Sequence, residues 1–307
     1  MKRCEAAKVR VPPIKCQGIK TKLVPFIMQS IRWRGDGAGR WIEPFLGSGV
    51  VAFNLAPRRA LLADINPYII RFYQAIQEKE ITPQVVREYL SEEGNRLARE
   101  GETHYYTIRE RFNREGNPLD FLFLNRAGFN GLVRFNQQGE LNVPFCRKPT
   151  RFSTAYISKI VNQVRWVYQL LQTHDWEFRV ASWEQTLSEA ESDDFVYLDP
   201  PYEGRHTDYY NRWSREDTYR LLETLGQLPC GYALSMWLEN SYRQNMIVHY
   251  LKQSHTVKIY DHYYHIGADE KNRNWMREAL IIHPDFARTD DGHITSHHSQ
   301  AAQQLLF

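Results

Sequence analysis

Residues 40–66 read RWIEPFLGSGVVAFNLAPRRALLADIN, and this stretch predicts a strand, a tight turn, a helix and a second strand in succession. The apolar run RWIEPF predicts the first strand, LGSG the turn and VVAFNLA the start of the helix. ALLADI predicts the second strand, and NPYIIRFYQAIQ after it has apolar residues at helical spacing. Strands and helices that alternate at this length are typical of a parallel sheet with crossover helices.

The same alternation returns in the second half of the chain. SKIVNQVRWVYQLLQ and REDTYRLLETLGQL predict helices, and EFRVAS, DFVYLD, GYALSMW, VKIYDHYY and EALIIH predict strands. The segment between the two halves is first highly charged and then apolar and rich in Gly and Asn, with the turn signal Gln138-Gly139 between RFN and LNVPF, as in a β-hairpin. We therefore predict an α/β domain formed by residues 1–75 and 156–284, an insertion at 76–155 and a flexible tail at 285–307.

Composition excludes several classes of protein. Of the 307 residues, 42% are hydrophobic and 24% charged, which excludes a disordered chain or a fibre. Apolar runs are far shorter than a bilayer span requires, and Pro12-Pro13 and Lys15 stand where a signal peptide needs its apolar stretch. The four cysteines form no C-x-x-C pair, which argues against a zinc knuckle and a disulfide framework. We expect a cytoplasmic protein that binds neither a membrane nor a metal.

Positive charge is concentrated in two parts of a chain whose net charge is only +3. Residues 1–40 hold ten Lys/Arg against two acidic residues, and residues 104–151 hold eight against four. Such zones fit a polyanionic partner such as a nucleic acid, although a solvated basic face is equally common. Charge alone leaves both interpretations open.

The first chemical motif is the glycine turn Glu43-Pro44-Phe45-Leu46-Gly47-Ser48-Gly49, together with Asp64 at the end of the next predicted strand. Glycines let the backbone approach a ligand closely, but neither G-x-G-x-x-G nor a P-loop lysine is present, so the turn suits a ligand without phosphates. A carboxylate at the position of Asp64 can accept both hydroxyls of a ribose. A nucleoside cofactor without phosphates, such as S-adenosylmethionine, fits both features.

The second motif is Asp199-Pro200-Pro201-Tyr202, directly after the apolar strand DFVYL. The prolines end the strand and hold the chain extended, so the Asp199 carboxylate and the Pro200 carbonyl can both act as acceptors. Two fixed acceptors favour the change of an exocyclic amine from planar to tetrahedral as it attacks a methyl group. Tyr202 offers a flat face to a planar base. Taken alone, the tetrapeptide could also simply end a strand.

The two motifs together point to an amino-methyltransferase, and the sequence resembles the Dam-type (D12 class) adenine-specific DNA methyltransferases over residues 12–283. The resemblance rests on blocks in the family's order: PPIKCQGIKTKLVPFI, WIEPFLGSGVVAFN, LLADINPYIIRFYQAI, FLFLNRAGFNGLVRFNQQGELNVPF, DFVYLDPPYEG, GYALSMW and NRNWMREALIIH. The long block from Phe121 to Phe145 is the most specific of them. The resemblance implies a mostly parallel, seven-stranded, Rossmann-like methyltransferase sheet, and it implies that the insertion recognises the target site.

The resemblance also implies roles for individual residues. It assigns the catalytic loop to Asp199, Pro200 and Tyr202, and the cofactor site to Lys20, Phe45, Gly47, Gly49, Asp64, Ser182 and Asp199. The family's K-W-x-G-G-K segment reads Lys15-Cys16-Gln17-Gly18-Ile19-Lys20 here, so only Lys20 is carried over from it.

In the hairpin block, Phe129, Asn130, Leu132, Arg134 and Pro144 match family residues that enter the groove or replace the flipped base. Their chemistry agrees, because an arginine can bind guanine bidentately, an asparagine can pair with base edges, and apolar side chains can touch a thymine methyl group. For Leu132, packing in the hairpin core is an almost equally good explanation. Contacts to phosphates are expected of Arg126, Arg147 and Lys148.

The sequence thus predicts an enzyme that transfers a methyl group from S-adenosylmethionine to the N6 amine of a flipped adenine in double-stranded DNA, at a GATC-like site. A methyltransferase acting on RNA adenine, a protein-glutamine methyltransferase and a catalytically silent DNA-binding module are the alternatives. We expect a monomer that can form a dimer on DNA. A restriction endonuclease acting on the same site is a possible partner.

Overall fold

One seven-stranded sheet forms the centre of the computed structural model, which describes residues 8–33, 35, 37–201, 210, 213–240, 245–263 and 275–288. The strands are β1 (Trp41–Glu43), β2 (Arg59–Asp64), β3 (Asp175–Val180), β4 (Phe195–Leu198), β5 (Gly231–Asn240), β6 (Thr256–Tyr263) and β7 (Trp275–Ile282). Their order is β3-β2-β1-β4-β5-β7-β6. The first five in this order pair in parallel, and β7 pairs antiparallel with both β5 and β6. The predicted mostly parallel α/β sheet is confirmed.

The helices in the described part of the chain cover both faces of this sheet and form the insertion. They are α1 (Val24–Ser30), α2 (Val50–Leu55), α3 (Pro67–Gln77), α4 (Pro83–Glu100), α5 (Glu102–Glu115), α6 (Pro118–Ala127), α7 (Thr154–Leu171), α8 (Trp183–Leu187), α9 (Arg215–Leu225) and α10 (Met246–Leu251). Because both faces are covered, strands such as β4 (FVYL) are buried throughout, which explains their unbroken apolar sequence. Among the described helices, none is long and apolar enough to cross a membrane.

The order in which strands are added to the sheet reverses at β1, and this reversal positions the candidate site. The chain passes from β1 through α2 to β2 on one side, and β4 later pairs with the other side of β1. Ligands of open α/β sheets bind outside the carboxyl ends of the strands at such a switch point. The glycine turn follows β1, Asp64 ends β2 and Asp199 follows β4, so all three lie at this edge.

The predicted insertion consists of α4, α5, α6 and an irregular hairpin. Two isolated antiparallel bridges, Gly128 with Phe145 and Phe135 with Leu141, form the hairpin, and no regular strand is assigned between them. Its chain reversal is held by hydrogen bonds between the backbones of Asn136 and Glu140 and between Asn142 and Arg134. The apolar side chains of the insertion join the same core cluster as those of α3 and α7. The proposed domain boundaries stay a prediction.

The predicted tail begins too early in the sequence. Residues 284–286 form a turn of 3₁₀ helix, and Ala287 is buried and bridges to Ile31. The ring of Phe286 packs on Phe195 and against the backbone of Gly231. These apolar contacts hold residues 285–288 on the sheet, and residues 289–307 lie outside the described part.

A buried ionic cluster joins the helices of the insertion, and it gives a stability prediction. The Asp120 carboxylate accepts hydrogen bonds from Arg111, at 2.6 and 2.8 Å, and from the hydroxyl of Tyr89. Asp120→Ala removes a carboxylate that is only 1% exposed, and Arg111 then keeps Glu93 as its remaining carboxylate partner in the described cluster. We expect unfolding in urea to require about 3 kcal/mol less free energy than for the wild-type protein.

The matched control is Arg114→Ala, which breaks the exposed ion pair between Arg114 and Glu115 on the same group of helices. Exposed pairs contribute about 0–1 kcal/mol, so this variant is expected to unfold close to the wild-type midpoint. Equal midpoints for the Asp120 and Arg114 variants would show that the buried cluster does not stabilise the insertion.

Candidate active site

A cavity of about 640 Å³ opens at the carboxyl ends of β1, β2 and β4. Its lining includes residues from the sheet edge, from the segment before α1 and from the hairpin. Among the residues predicted from the sequence, it is lined by Lys20, Phe45, Gly47, Asp64, Asn130, Leu132, Ser182, Asp199 and Pro200. Concave, largely apolar pockets with a few convergent polar groups are the usual sites for small ligands.

The glycine turn after β1 needs its glycines for two different reasons. Gly49 has a φ of 70° at the start of α2, and a Cβ there would lie 2.5 Å from the ring of Phe53, so its role is to allow the turn. Gly49 does not contribute to the cavity lining, although the sequence placed it in the cofactor site. Gly47 does line the cavity, and a Cβ built on it would meet no atom within 4 Å. Its missing side chain therefore leaves open space for a ligand.

Asp64 is held rigidly at the end of β2. Its Oδ2 accepts the backbone N–H of Gly47 at 2.8 Å, and its Oδ1 accepts that of Asn66 at 2.9 Å. A carboxylate oxygen has two lone pairs, so each oxygen can accept a further hydrogen bond from a ligand hydroxyl. The two backbone amides therefore orient the carboxylate that the sequence assigned to a ribose.

Apolar groups flank Asp64 where the cavity opens. Ile65 lines the cavity with half of its surface exposed, and Trp183 lines the same cavity. Ser182 caps α8, because its hydroxyl accepts the N–H of Gln185, and the Gln185 side chain accepts the N–H of Ser182 in return. Sequence reasoning found Ser182 but missed Ile65 and Trp183, whose only signal is their position beside Asp64 and Ser182.

Asp199 meets a lysine at the end of β4. The Nζ of Lys20 lies 3.0 Å from Oδ1 of Asp199, and Lys20 is only 4% exposed. Lys20 is held in place because its carbonyl accepts the N–H groups of Leu23 and Val24 as α1 begins. The sequence assigned Lys20 to the cofactor, and the structure places it at the cavity in direct contact with the proposed catalytic carboxylate.

Two buried glutamates that sequence reasoning missed lie beside this pair. Glu278 on β7 places Oε2 3.6 Å from the Nζ of Lys20. Glu43 on β1 accepts the indole N–H of Trp41 at 2.7 Å, and burial raises the pKa of Glu43 to about 8, with Asp199 adding to the rise. Enclosure likewise raises the pKa of Asp199, whereas Lys20 lowers it. The available signal was a single acid inside each of the apolar segments WIEPF and REALII.

Aromatic side chains connect the cavity to the hairpin. Tyr210 lines the cavity and packs edge-on against Phe135 of the hairpin, with ring centroids 5.1 Å apart. Phe135 stacks in turn on Tyr68 of α3 at 5.1 Å. Tyr202, the predicted stacking partner of a base, lies outside the described residues.

The hairpin presents most of the predicted DNA-binding residues at the surface. Phe129, Asn130, Pro144, Arg147 and Lys148 are exposed, whereas Leu132 is half-buried against the core. Asn130 has a φ of 53°, a left-handed conformation that asparagine tolerates better than most residues.

Arg134 is half-buried and oriented by one neighbour. Its Nε donates to the side-chain oxygen of Asn142 at 2.7 Å, and its Nη2 donates to the backbone carbonyl of Asn142 at 2.9 Å. The guanidinium is thus fixed before any ligand binds, which reduces the entropy that a bidentate contact would cost.

The prediction for Arg126 is wrong. Arg126 is 2% exposed, donates to the side chain of Gln163 and lies over the ring of Tyr156. A phosphate contact requires an exposed guanidinium, and α6, which carries Arg126, is buried along its length from Asp120 to Ala127. This arginine joins α6 to α7 inside the protein.

Comparison with known proteins agrees with this geometry. A DNA adenine methylase of Vibrio cholerae serotype O1 is 34% identical over 194 residues, which cover 62% of this chain and 64% of that protein. The chain thus spans slightly less than two thirds of that relative's length. The retron Ec67 DNA adenine methylase of Escherichia coli is 32% identical over 223 residues, 69% of this chain and 71% of that protein.

A family model gives the broadest match. It describes the D12 class N6 adenine-specific DNA methyltransferases and matches residues 17–278. That span includes every strand from β1 to β6, the hairpin and both chemical motifs, and it ends within β7 at Glu278. The resemblance seen in the sequence is therefore confirmed, and the chain belongs to the D12 class of N6 adenine-specific DNA methyltransferases.

Proposed function

We propose that this protein transfers a methyl group from S-adenosylmethionine to the N6 amine of an adenine in duplex DNA. The observation that carries the proposal is one shared cavity. Asp199, Asp64 and the hairpin residues Asn130 and Leu132 all line it. This shared lining supports roles for Asp199 as an acceptor for an amine, for Asp64 as an acceptor for a ribose and for the hairpin as the segment that reads DNA.

The chemistry of the cavity fits the proposed cofactor. Asp64 is oriented to accept two ribose hydroxyls, Gly47 leaves open space beside it, and the exposed side chain of Ile65 offers an apolar surface to a heterocycle. Asp199 and Glu278 supply negative charge near the same space. When bound, S-adenosylmethionine supplies an activated methyl group on a sulfonium centre.

The chain's own residues then act on the adenine amine. The Asp199 carboxylate and the Pro200 carbonyl accept its two N–H groups, which favours tetrahedral geometry as N6 forms its bond to the methyl carbon. One proton must leave N6, and Asp199 would accept it. Tyr202 keeps its sequence-based role, stacking on the flipped base.

The hairpin would recognise the DNA sequence that contains the target adenine. Arg134 and Asn130 would contact base edges, while Arg147 and Lys148 are exposed and able to bind phosphates. We extend the proposal to a GATC-like site, read by a monomer or by two copies on the palindrome. A restriction endonuclease of the same specificity would be the natural partner of such an enzyme.

The proposal is tested with purified protein, S-adenosylmethionine carrying a labelled methyl group, and matched duplexes of DNA and RNA. We expect label in DNA that contains GATC, little in DNA lacking it, and release of the label as N6-methyladenine on digestion. Label in RNA alone would favour the RNA enzyme. Cofactor binding measured by calorimetry with no transfer to either polymer would contradict the proposal.

Asp64 gives a prediction for cofactor affinity. Asp64→Asn replaces one acceptor oxygen by an amino group, so the side chain can no longer accept on both sides. Loss of a hydrogen bond to a charged group costs about 1.5–3 kcal/mol, and we therefore expect the Kd for S-adenosylmethionine to rise about 10- to 100-fold. Isothermal calorimetry measures it directly.

The control for this variant is Asp175→Asn at the opposite end of the sheet. Asp175 begins β3 and is largely exposed, so the same chemical change there is expected to leave the Kd unaltered. An Asp64 variant with wild-type affinity would show that the ribose is not bound at β2.

A further inference from the structure

We propose that Glu278, acting through Lys20, is a positioning residue that sets the charge available on Asp199 and adds a negative charge beside the cavity that favours a sulfonium cofactor. The inference rests on the proposed function and deepens it. Neither the glycine turn nor the Asp-Pro-Pro-Tyr loop contains Glu278, which comes from the antiparallel strand β7.

The geometry places one ammonium between two carboxylates. The Nζ of Lys20 lies 3.0 Å from Asp199 and 3.6 Å from Glu278. The side chains of Lys20 and Glu278 are 4% and 2% exposed, so water screens their charges little. Asp199 is the more open of the two acids and faces the cavity. Lys20 is therefore shared, and neither carboxylate is fully neutralised by it.

The described charged and titratable groups that face Asp199 are few. They are Lys20, Glu278, Glu43 and the phenol of Tyr197, which is hydrogen bonded to Ser235. Three carboxyl groups beside one ammonium cannot all ionise in such an enclosed place, and one of them keeps a proton. Glu43 is that group, because burial raises its pKa to about 8.

Among the described groups of this cluster, two carboxylates, Asp199 and Glu278, then share the one ammonium of Lys20, which leaves one negative charge in excess. A cofactor with a sulfonium cation would balance this excess, whereas its product, a neutral thioether, would not. Glu278 thus favours the charged cofactor over the product. Because Glu278 shares the ammonium of Lys20, the negative charge on Asp199 is only partly neutralised, and Asp199 remains a strong hydrogen-bond acceptor. Enclosure raises the pKa of Asp199, Lys20 lowers it and Glu278 raises it, in agreement with this balance.

The first test measures binding, which does not depend on turnover. Calorimetry compares S-adenosylmethionine with S-adenosylhomocysteine in the wild-type protein and in Glu278→Gln, which has nearly the same shape. The wild-type protein is expected to prefer the sulfonium ligand, and Glu278→Gln to lose about tenfold of that preference through weaker binding of the sulfonium ligand alone. Glu177→Gln, on an exposed part of β3, is the matched control and should change neither affinity.

The second test uses the acid limb of the pH profile of kcat/KM. Asp199 must be ionised to take the proton that leaves N6, so activity falls as pH drops through its pKa. Removing the neighbouring acid in Glu278→Gln should move this limb to lower pH, and removing the cation in Lys20→Met should move it to higher pH, each by about one unit. A purely structural role for either residue would not shift the limb in opposite directions.

The outcomes separate this inference from the proposed function. The inference would be overturned, and the function left standing, if the wild-type protein methylates DNA and Glu278→Gln keeps the wild-type ligand preference. The same conclusion would follow if the acid limbs of Glu278→Gln and Lys20→Met move in the same direction. A wild-type protein that binds S-adenosylmethionine without methylating DNA would refute the function, while the binding test still decides on Glu278. If the wild-type protein binds neither ligand, both the proposed function and the inference about Glu278 are refuted.

Discussion

Asp199→Asn is expected to reduce kcat for methyl transfer about 10³-fold while leaving the Kd for S-adenosylmethionine within a few-fold of the wild-type value. The reason lies in Lys20, whose ammonium is 3.0 Å from Asp199 and can only donate. An asparagine at this position must turn its oxygen toward Lys20, so its amino group faces the adenine amine. Two donors then oppose each other where the wild-type protein has an acceptor.

Single-turnover kinetics with saturating DNA and cofactor measure the effect on the chemical step. Asp193→Asn is the matched control, because it makes the same chemical change at an exposed residue just before β4 that does not line the cavity. Turnover of the Asp199 variant within tenfold of the control would mean that this carboxylate does not accept the hydrogen bonds of the reacting amine.

Arg134→Ala is expected to lower the discrimination between the cognate site and a site with one substituted base pair by about 1–3 kcal/mol, or roughly 10- to 100-fold in the ratio of kcat/KM values. Arg134 is already oriented by two hydrogen bonds to Asn142, so its guanidinium can bind a guanine edge without a large loss of entropy. The measurement compares kcat/KM on a panel of duplexes that differ at one position.

Arg147→Ala is the contrasting variant on the same surface. Arg147 is exposed, and loss of a phosphate contact should weaken binding similarly for every duplex and reduce the salt slope by about one. Asn142→Ala should resemble Arg134→Ala in kind with a smaller effect, because it removes one of the two acceptors that orient the guanidinium. A uniform loss across the panel for Arg134→Ala would contradict a role in reading bases.

The sheet and the edge that carries the site could be predicted from the sequence. RWIEPF, LGSG and ALLADI correspond to β1, the turn and β2, and the run DFVYL before Asp199 corresponds to β4. These segments are buried between helices, so hydrophobic pattern and glycine position alone determine their type. The positions of Asp64 and Asp199 at the carboxyl edge of the sheet could be predicted as well, because each stands at the end of such a strand.

Partners brought together from distant parts of the chain could not be predicted. Glu43 and Glu278 lie 235 positions apart, and only the order β1-β4-β5-β7 places both near Asp199. A lone acid in an apolar strand indicates burial but does not identify its partner.

The helix α6 illustrates a different error, in which a buried residue was assigned to the surface. FLFLNRA has no polar face, which is typical of a helix buried on all sides, and Arg126 should have been assigned to the interior on that ground.

The most direct test of the account is to express the protein in a host that lacks adenine methylation and to map modified bases along the host genome by single-molecule sequencing. We predict N6-methyladenine confined to one short motif related to GATC, and no such mark in cells that express Asp199→Asn at the same level. An unmarked genome, despite wild-type protein that is folded and binds S-adenosylmethionine, would contradict the proposed DNA adenine methylation.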